Sequence, residues 1–250
     1  MTAASPAIVH EVFSSLQGEG PHVGEPMTFL RFQGCALRCR WCDTPAALSH
    51  AMTTFRVESP PRSWRFNALP NPIAAEALTE ILAAFPDDTI ALTGGEPLEQ
   101  AAFLAEWLPT CQPRRRILLE TAGVMTTALT TVLPFVDIVS MDLKLPSSTG
   151  MKAYWSEHTA FIEAAVRANK EVYCKMIVTG RTTPADIASA IHLVQHTAPK
   201  VPMIIQPASP TATFADAPAS AQIAAVVQQC RARLPNVRMI PQMHKQWGVL

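Results

Sequence analysis

From Thr89 to Ile240 the chain alternates short apolar runs with segments of helical period, and this alternation limits its folds more than any other feature. Thr89 to Leu92, Ile117 to Thr121, Val136 to Asp142, Val172 to Val178, Met203 to Gln206 and Val237 to Ile240 read as strands. Between them lie the helical stretches Leu98 to Leu108, Met125 to Leu133, Met151 to Asn169, Pro184 to Gln195 and Ala217 to Leu234. Ile187, Ile191 and Val194 share one helix face, and Ile223, Val227, Cys230 and Leu234 share another. Such alternation builds a parallel sheet with right-handed crossovers. Ile8 to Phe13 and Met27 to Phe32 add two strands ahead of it. Asn71-Pro72 reads as a helix start presenting Ile73, Ala77, Ile81 and Phe85 to the sheet. The total is about six βα units, too few for a closed eight-stranded barrel.

A chain of 250 residues is long enough for one α/β domain with a substantial core, and the expectation is a single domain over 1–250. Residues 45–70 have no clear period and read as an insertion in that domain or a lid over its site. Lys plus Arg equals Asp plus Glu at 20 each, so no electrostatic footprint for nucleic acid or an anionic membrane exists. No run approaches the ~20 apolar residues of a membrane span. Met1 to Pro6 lacks the basic and apolar regions of a leader, which fits a reducing cytoplasm. Cys111, Cys174 and Cys230 stand alone and read as small buried residues.

Cys35, Cys39 and Cys42 do not stand alone. They fall within Gly34-Cys35-Ala36-Leu37-Arg38-Cys39-Arg40-Trp41-Cys42-Asp43-Thr44, a loop tight enough to aim three thiolates at one inorganic centre. Thiolates are soft ligands that select iron–sulfur clusters, zinc or Cu(I). A four-iron cluster ordinarily takes four cysteines, so three would leave one iron open to another ligand. Structural zinc would need a fourth ligand; His22, His50 and Cys111 are present, none at the usual paired spacing. A disulfide fits poorly, because the number is odd and nothing points to export.

Cys-x3-Cys-x2-Cys resembles the signature of the radical S-adenosylmethionine (SAM) superfamily. Together with Gln17-Gly18-Glu19-Gly20 upstream, Asp43-Thr44 after the last cysteine and Thr93-Gly94-Gly95-Glu96-Pro97 downstream, it is similar to the 7-carboxy-7-deazaguanine synthase family of queuosine and deazapurine biosynthesis, from about Val9 onward. The resemblance implies a partial, open βα barrel holding a [4Fe-4S] cluster on Cys35, Cys39 and Cys42. It implies a lyase reaction converting 6-carboxy-5,6,7,8-tetrahydropterin to 7-carboxy-7-deazaguanine with loss of ammonia, SAM serving as cofactor and radical source. Two other readings stay open on the residues: a radical SAM activase of a glycyl-radical enzyme, and a zinc-binding interaction module.

The resemblance also assigns residues. SAM would be bound by Trp41, Cys42, Asp43, Gly95, Ser140, Met141, Asp142, Gln206, Pro207, Ala208 and Ser209. Substrate would be bound by Leu16, Gln17, Gly18, Arg31, Thr93 and Leu250, with Arg31 suited to a carboxylate because guanidinium matches it bidentately. Mg2+ would take Thr44 as its protein ligand, and no side chain would serve as catalyst beyond the SAM-derived radical. Glu120, Thr121 and Lys144 join the polar residues that recur just after successive strands, and His244 to Leu250 would close over the substrate. An electron donor such as flavodoxin or ferredoxin, and a homodimer, complete what the resemblance implies.

Overall fold

The computed structural model of the chain describes residues 6–111 and 114–250. Of the Met1 to Pro6 stretch read for leader features, all but Pro6 lies outside them.

In chain order the elements are β1 (Val9–Leu16), β2 (Pro26–Phe32), β3 (Thr54–Glu58), β4 (Phe66–Pro70), α1 (Ala75–Ala83), β5 (Thr89–Gly94), α2 (Ala101–Trp107), β6 (Arg116–Thr121) and α3 (Thr126–Val132). Then follow β7 (Ile138–Leu143), α4 (Pro146–Thr149), α5 (Trp155–Arg167), β8 (Glu171–Val178), α6 (Pro184–Thr197), β9 (Met203–Pro207), α7 (Ser220–Arg231), β10 (Val237–Met239) and α8 (Met243–Trp247). One sheet holds every strand, in the order β10-β9-β8-β7-β6-β5-β2-β1-β3-β4. From β2 across to β10 all neighbours are parallel. Each of β2, β5, β6, β7, β8 and β9 is followed by a helix before the next strand of that parallel run, giving the six βα units of an open barrel.

Strand β1 lies outside this parallel run and pairs antiparallel with β2. Only residues 17–25 connect them, too few for the crossover that parallel strands need. Residues 45–70 are more regular than their sequence suggests. A 3-10 turn, Pro45–Leu48, leads into the β3–β4 hairpin, and β3 extends the sheet by pairing parallel with β1. Arg62 at the hairpin turn pairs with Asp87 at 2.7 Å, just ahead of β5. The turn therefore sits at the N-terminal end of the parallel strands, and the cysteine loop follows the C-terminal end of β2.

Helix α1 also differs from expectation. It starts at Ala75, because Asn71 is occupied in bonding the backbone N–H of Val9 at 3.1 Å and its carbonyl at 2.6 Å. The buried face consequently carries Leu78 and Leu82, with Ile73 and Phe85 buried outside the helix and Ala77 and Ile81 only partly covered. Helix α6 starts as its sequence predicts, Thr183 accepting from the Asp186 N–H and Pro184 occupying the first turn.

Side chains alternate along each strand, so the sheet has two coats. Leu30, Leu92, Leu119, Val139, Met141, Cys174, Met176 and Ile205 belong to the core between sheet and helices. Inside the barrel, Phe13, Met27, Phe29, Ala91, Leu118, Ile138, Tyr173 and Ile204 form a separate apolar layer. Two residues further along, the same interior face turns polar: Arg31, Thr93, Glu120, Ser140, Lys175 and Gln206. The apolar layer is the floor, and the polar layer above it opens towards the cysteine loop.

Candidate active site

The cavity on this polar layer is lined by residues from nearly every strand of the barrel, by the cysteine loop and by the C-terminal segment. It brings together Leu16, Gln17, Gly18, Arg31, Thr44, Thr93 and Leu250 with Trp41, Cys42, Asp43, Gly95, Asp142, Gln206, Ala208 and Ser209. Ser140, Met141 and Pro207 are absent from the lining. Met141 and Pro207 alternate with inward-facing neighbours, and Met141 is fully buried in the core between sheet and helices. Ser140 faces inward one step below the cavity, 1% exposed.

The cysteine loop is held from several directions. Arg38 donates to the carbonyls of Cys35 and Leu37, and the Ala36 N–H donates to Glu99 at 2.5 Å. The Arg40 N–H reaches the Thr149 carbonyl at 3.0 Å, and the Glu96 N–H reaches that of Gly34 at 2.8 Å. Gly95 must be glycine here, since a Cβ would lie 2.0 Å from the Gly34 carbonyl oxygen. Burial pushes the Cys35 thiol up to about 11 and raises those of Cys39 and Cys42 as well. Metal binding must therefore displace protons from all three. Among the described residues, the only three potential ligands mutually within 4.8 Å are Glu19, Asp43 and His244, so the three cysteine sulfurs do not all lie within that distance of one another. Thiolates on one tetrahedral zinc stand only about 3.8 Å apart, from Zn–S bonds near 2.3 Å. The open spacing and three soft donors fit a multi-iron cluster.

Beneath the loop lies a buried ionic chain. Lys144 contacts Asp142 at 2.8 Å, Asp142 contacts Lys175 at 3.2 Å, and Lys175 contacts Glu19 at 2.6 Å. Burial alone would raise the Asp142 carboxyl, but the Lys144 and Lys175 ammoniums outweigh it and hold it below the usual range. Glu19 behaves alike, with Lys175 overriding its burial. Both lysines, despite burial, are held above their ordinary value, first by Asp142, and stay charged. Lys144 also stands 4.6 Å over the Trp41 ring, next to the cysteines.

The Gln17–Val23 segment crosses the barrel interior to reach β8. Glu19 meets Lys175, His22 meets Glu171 at 2.8 Å, and Gly20 packs on Tyr173, where a Cβ would lie 2.6 Å from the ring at a φ of +68°. The C-terminal segment straps this turn down. The Met243 N–H donates to Gly18 at 2.8 Å, and Gln242 donates to Glu19 and Asp43, each at 2.8 Å. Glu120 receives Gln17 at 3.0 Å and Thr93 at 2.7 Å. Arg31 donates to Glu11 at 2.9 Å and to the Thr44 hydroxyl at 3.3 Å. Lys175 and Gln242 are not among the expected site residues, while His244, expected to close over the substrate, lines the cavity. Lys175 has a legible signal, as a lone charge within the apolar run Val172 to Val178. Gln242 has none.

The sequence model of the Radical SAM superfamily matches residues 29–194. The 7-carboxy-7-deazaguanine synthase of Geobacter sulfurreducens is 34% identical over 252 residues, covering 98% of each chain. That of Methanopyrus kandleri is 35% identical over 247 residues, covering 95% of this chain and 92% of its own. Among solved structures, QueE from Escherichia coli has a TM-score of 0.59 at 19% identity, covering 96% of this chain and 95% of its own. A radical SAM methyltransferase from Sphaerobacter thermophilus has a TM-score of 0.57 at 15% identity, covering 93% and 77%. These two likenesses concern the fold.

Proposed function

The chain belongs to the radical SAM superfamily and, within it, to the 7-carboxy-7-deazaguanine synthase family, and from that premise we propose that it converts 6-carboxy-5,6,7,8-tetrahydropterin to 7-carboxy-7-deazaguanine and ammonia. The observation that carries the reading is the polar layer of the barrel, which meets the three-cysteine loop in one cavity. When bound, the cluster and SAM supply a 5′-deoxyadenosyl radical, the hard step that cofactors contribute.

The protein's residues bind and orient. Cys35, Cys39 and Cys42 would hold the cluster, and Trp41, Gly95, Asp142, Gln206, Ala208 and Ser209 would surround SAM. Lys144 stands over Trp41 of the loop, and Asp142 keeps the ammonium protonated against the pull of burial. Arg31, Gln17, Thr93 and Glu120 receive the pterin and its carboxylate. Arg31 need not be rebuilt for this, since Glu11 already aims its guanidinium. The strap from Gln242 to Leu250 excludes water.

Mg2+ fits the oxygens beside the loop. The Thr44 hydroxyl faces an Asp43 oxygen at 3.4 Å, and Glu19 and His244 converge on the same carboxylate. Hard cations take such oxygen donors and keep several waters. A homodimer, a cytoplasmic location, one domain over 1–250 and an external one-electron donor complete the proposal.

The deciding experiment is anaerobic turnover of the carboxypterin by reconstituted protein with SAM and reductant. Absence of 7-carboxy-7-deazaguanine, with SAM cleavage intact, would refute the substrate assignment. For the metal, Thr44→Val should keep the cluster and uncoupled SAM cleavage while lowering pterin turnover, with added Mg2+ restoring part of it. Loss of the cluster in that variant, without metal rescue, would remove Thr44 from the ligands.

A further inference from the structure

The β3–β4 hairpin lies at the edge of the sheet, yet it reaches the cavity through one row of charges. Arg31 on β2, Glu11 on β1 and Arg56 on β3 lie side by side across three adjacent strands, and Glu11 is the register partner of both arginines. A slip in register between Val9 and Glu11 makes this row possible. Val9 and Val12 both belong to the core between sheet and helices, and Phe13 to the barrel interior. The extra residue, His10, therefore turns Glu11 from the helix side to the inner face, as bulges beside sites do. There Glu11 accepts from the Arg31 Nε at 2.9 Å through one oxygen and from Arg56 through the other, with only 10% of its side chain exposed. Arg56 stacks on Phe66 of β4 at 4.6 Å, and its side chain is 55% exposed. Arg31 lines the cavity and Arg56 does not.

An Arg31–Glu11 pair by itself would offer a substrate carboxylate a neutral partner. With Arg56 the row holds two guanidiniums and one carboxylate, which leaves one positive charge for the cavity side. Asp43, also within reach of the Arg31 charge, has Gln242 at 2.8 Å and Lys245 at 3.4 Å as partners of its own. Resting on the functional reading above, we infer that Arg56 is a positioning residue of the pterin site, balancing Glu11 so that Arg31 keeps its charge for the substrate carboxylate. Arg56 acts through Glu11 and Arg31. The hairpin thereby carries specificity for an acid into the barrel from the sheet edge.

The test is equilibrium binding to oxidised holoprotein with SAM and Mg2+, which cannot turn over without reductant. The ligands are the carboxypterin and its carboxamide, which keeps the shape and lacks the charge. Arg56→Met retains the length and the packing on Phe66. It should raise the carboxypterin Kd about fivefold, the upper range for an ion pair this exposed, and leave the Kd of the carboxamide and of SAM as they were. Arg56→Lys should restore carboxypterin binding. Glu11→Gln/Arg56→Met should regain it too, because the amide oxygen still accepts from Arg31 and no negative charge is left to balance. A merely structural role for Arg56 predicts a double variant weaker than the single one. An unchanged carboxypterin Kd in Arg56→Met, equal weakening of both pterins, or no recovery in the double variant would overturn the inference alone. A wild type that binds carboxypterin with this charge pattern but forms no 7-carboxy-7-deazaguanine on reduction would strike the reaction and uphold the row. No affinity of the wild type for carboxypterin would overturn both.

Discussion

Replacing Cys39 by alanine should abolish the iron–sulfur centre and all SAM cleavage while leaving the fold intact. Three thiolates are supplied by the loop, and all three line the same cavity. Removing one leaves two anchors for a cluster that already has an open iron, so assembly itself should fail. The loop has contacts of its own besides the cysteines. Arg38, Glu99 and the backbone contacts to Thr149 and Ala47 tie it to the barrel. Far-ultraviolet circular dichroism of the variant should therefore match the wild type, while iron, acid-labile sulfide and the reduced EPR signal disappear. The contrast is with Cys174 and Cys230, both fully buried in apolar surroundings, whose alanine variants should lose some stability and keep the cluster. A Cys39→Ala protein that retained full cluster and activity would show that the centre is ligated elsewhere.

The difference between those cysteines is legible in the amino-acid order alone, because the spacing of 35, 39 and 42 is a local property. So is the six-unit βα order, since each unit carries its own apolar period. Long-range pairing is what the sequence hides. The antiparallel β1 follows from the short 17–25 connection, which the sequence shows, but the parallel pairing of β1 with β3 depends on a distant segment joining a sheet edge. Sequence reading misplaces the start of α1 because Asn71, a good cap by type, is captured by Val9 across the sheet. Lys175 and Glu19 are 156 residues apart, and only the folded barrel sets their charges against each other. The alternation rule that identifies strands also explains why Met141 and Pro207, next in sequence to Asp142 and Gln206, leave the cavity lining.

Acid should expose a second long-range dependence, through His158. This residue is fully buried on α5, where its Nδ1 contacts the Gly123 carbonyl at 2.9 Å and its Nε2 contacts the Lys144 N–H at 3.0 Å. A neutral ring satisfies both, donating at Nδ1 and accepting at Nε2. A proton on Nε2 would oppose one N–H to another, close to the Lys144 ammonium. Burial, with Lys144 adding to it, pushes His158 down to about 4 from an ordinary 6.5. The native ring is then neutral while the unfolded ring takes up a proton between those values. Stability is complete above about pH 6.5, falls as pH drops towards 4, and levels off below; the full loss is on the order of 3 kcal/mol. Between pH 7.5 and 5 the share from this residue is about 2 kcal/mol. His158→Asn should remove it. Urea unfolding of cluster-free protein at both pH values should show a stability difference about 2 kcal/mol smaller in the variant, whatever its absolute stability. The same substitution releases the Lys144 backbone, so SAM affinity at pH 7.5 should weaken. Parallel pH dependence in the two proteins would mean that His158 is already free to charge in the native state, and that Lys144 is held in place by Asp142 alone.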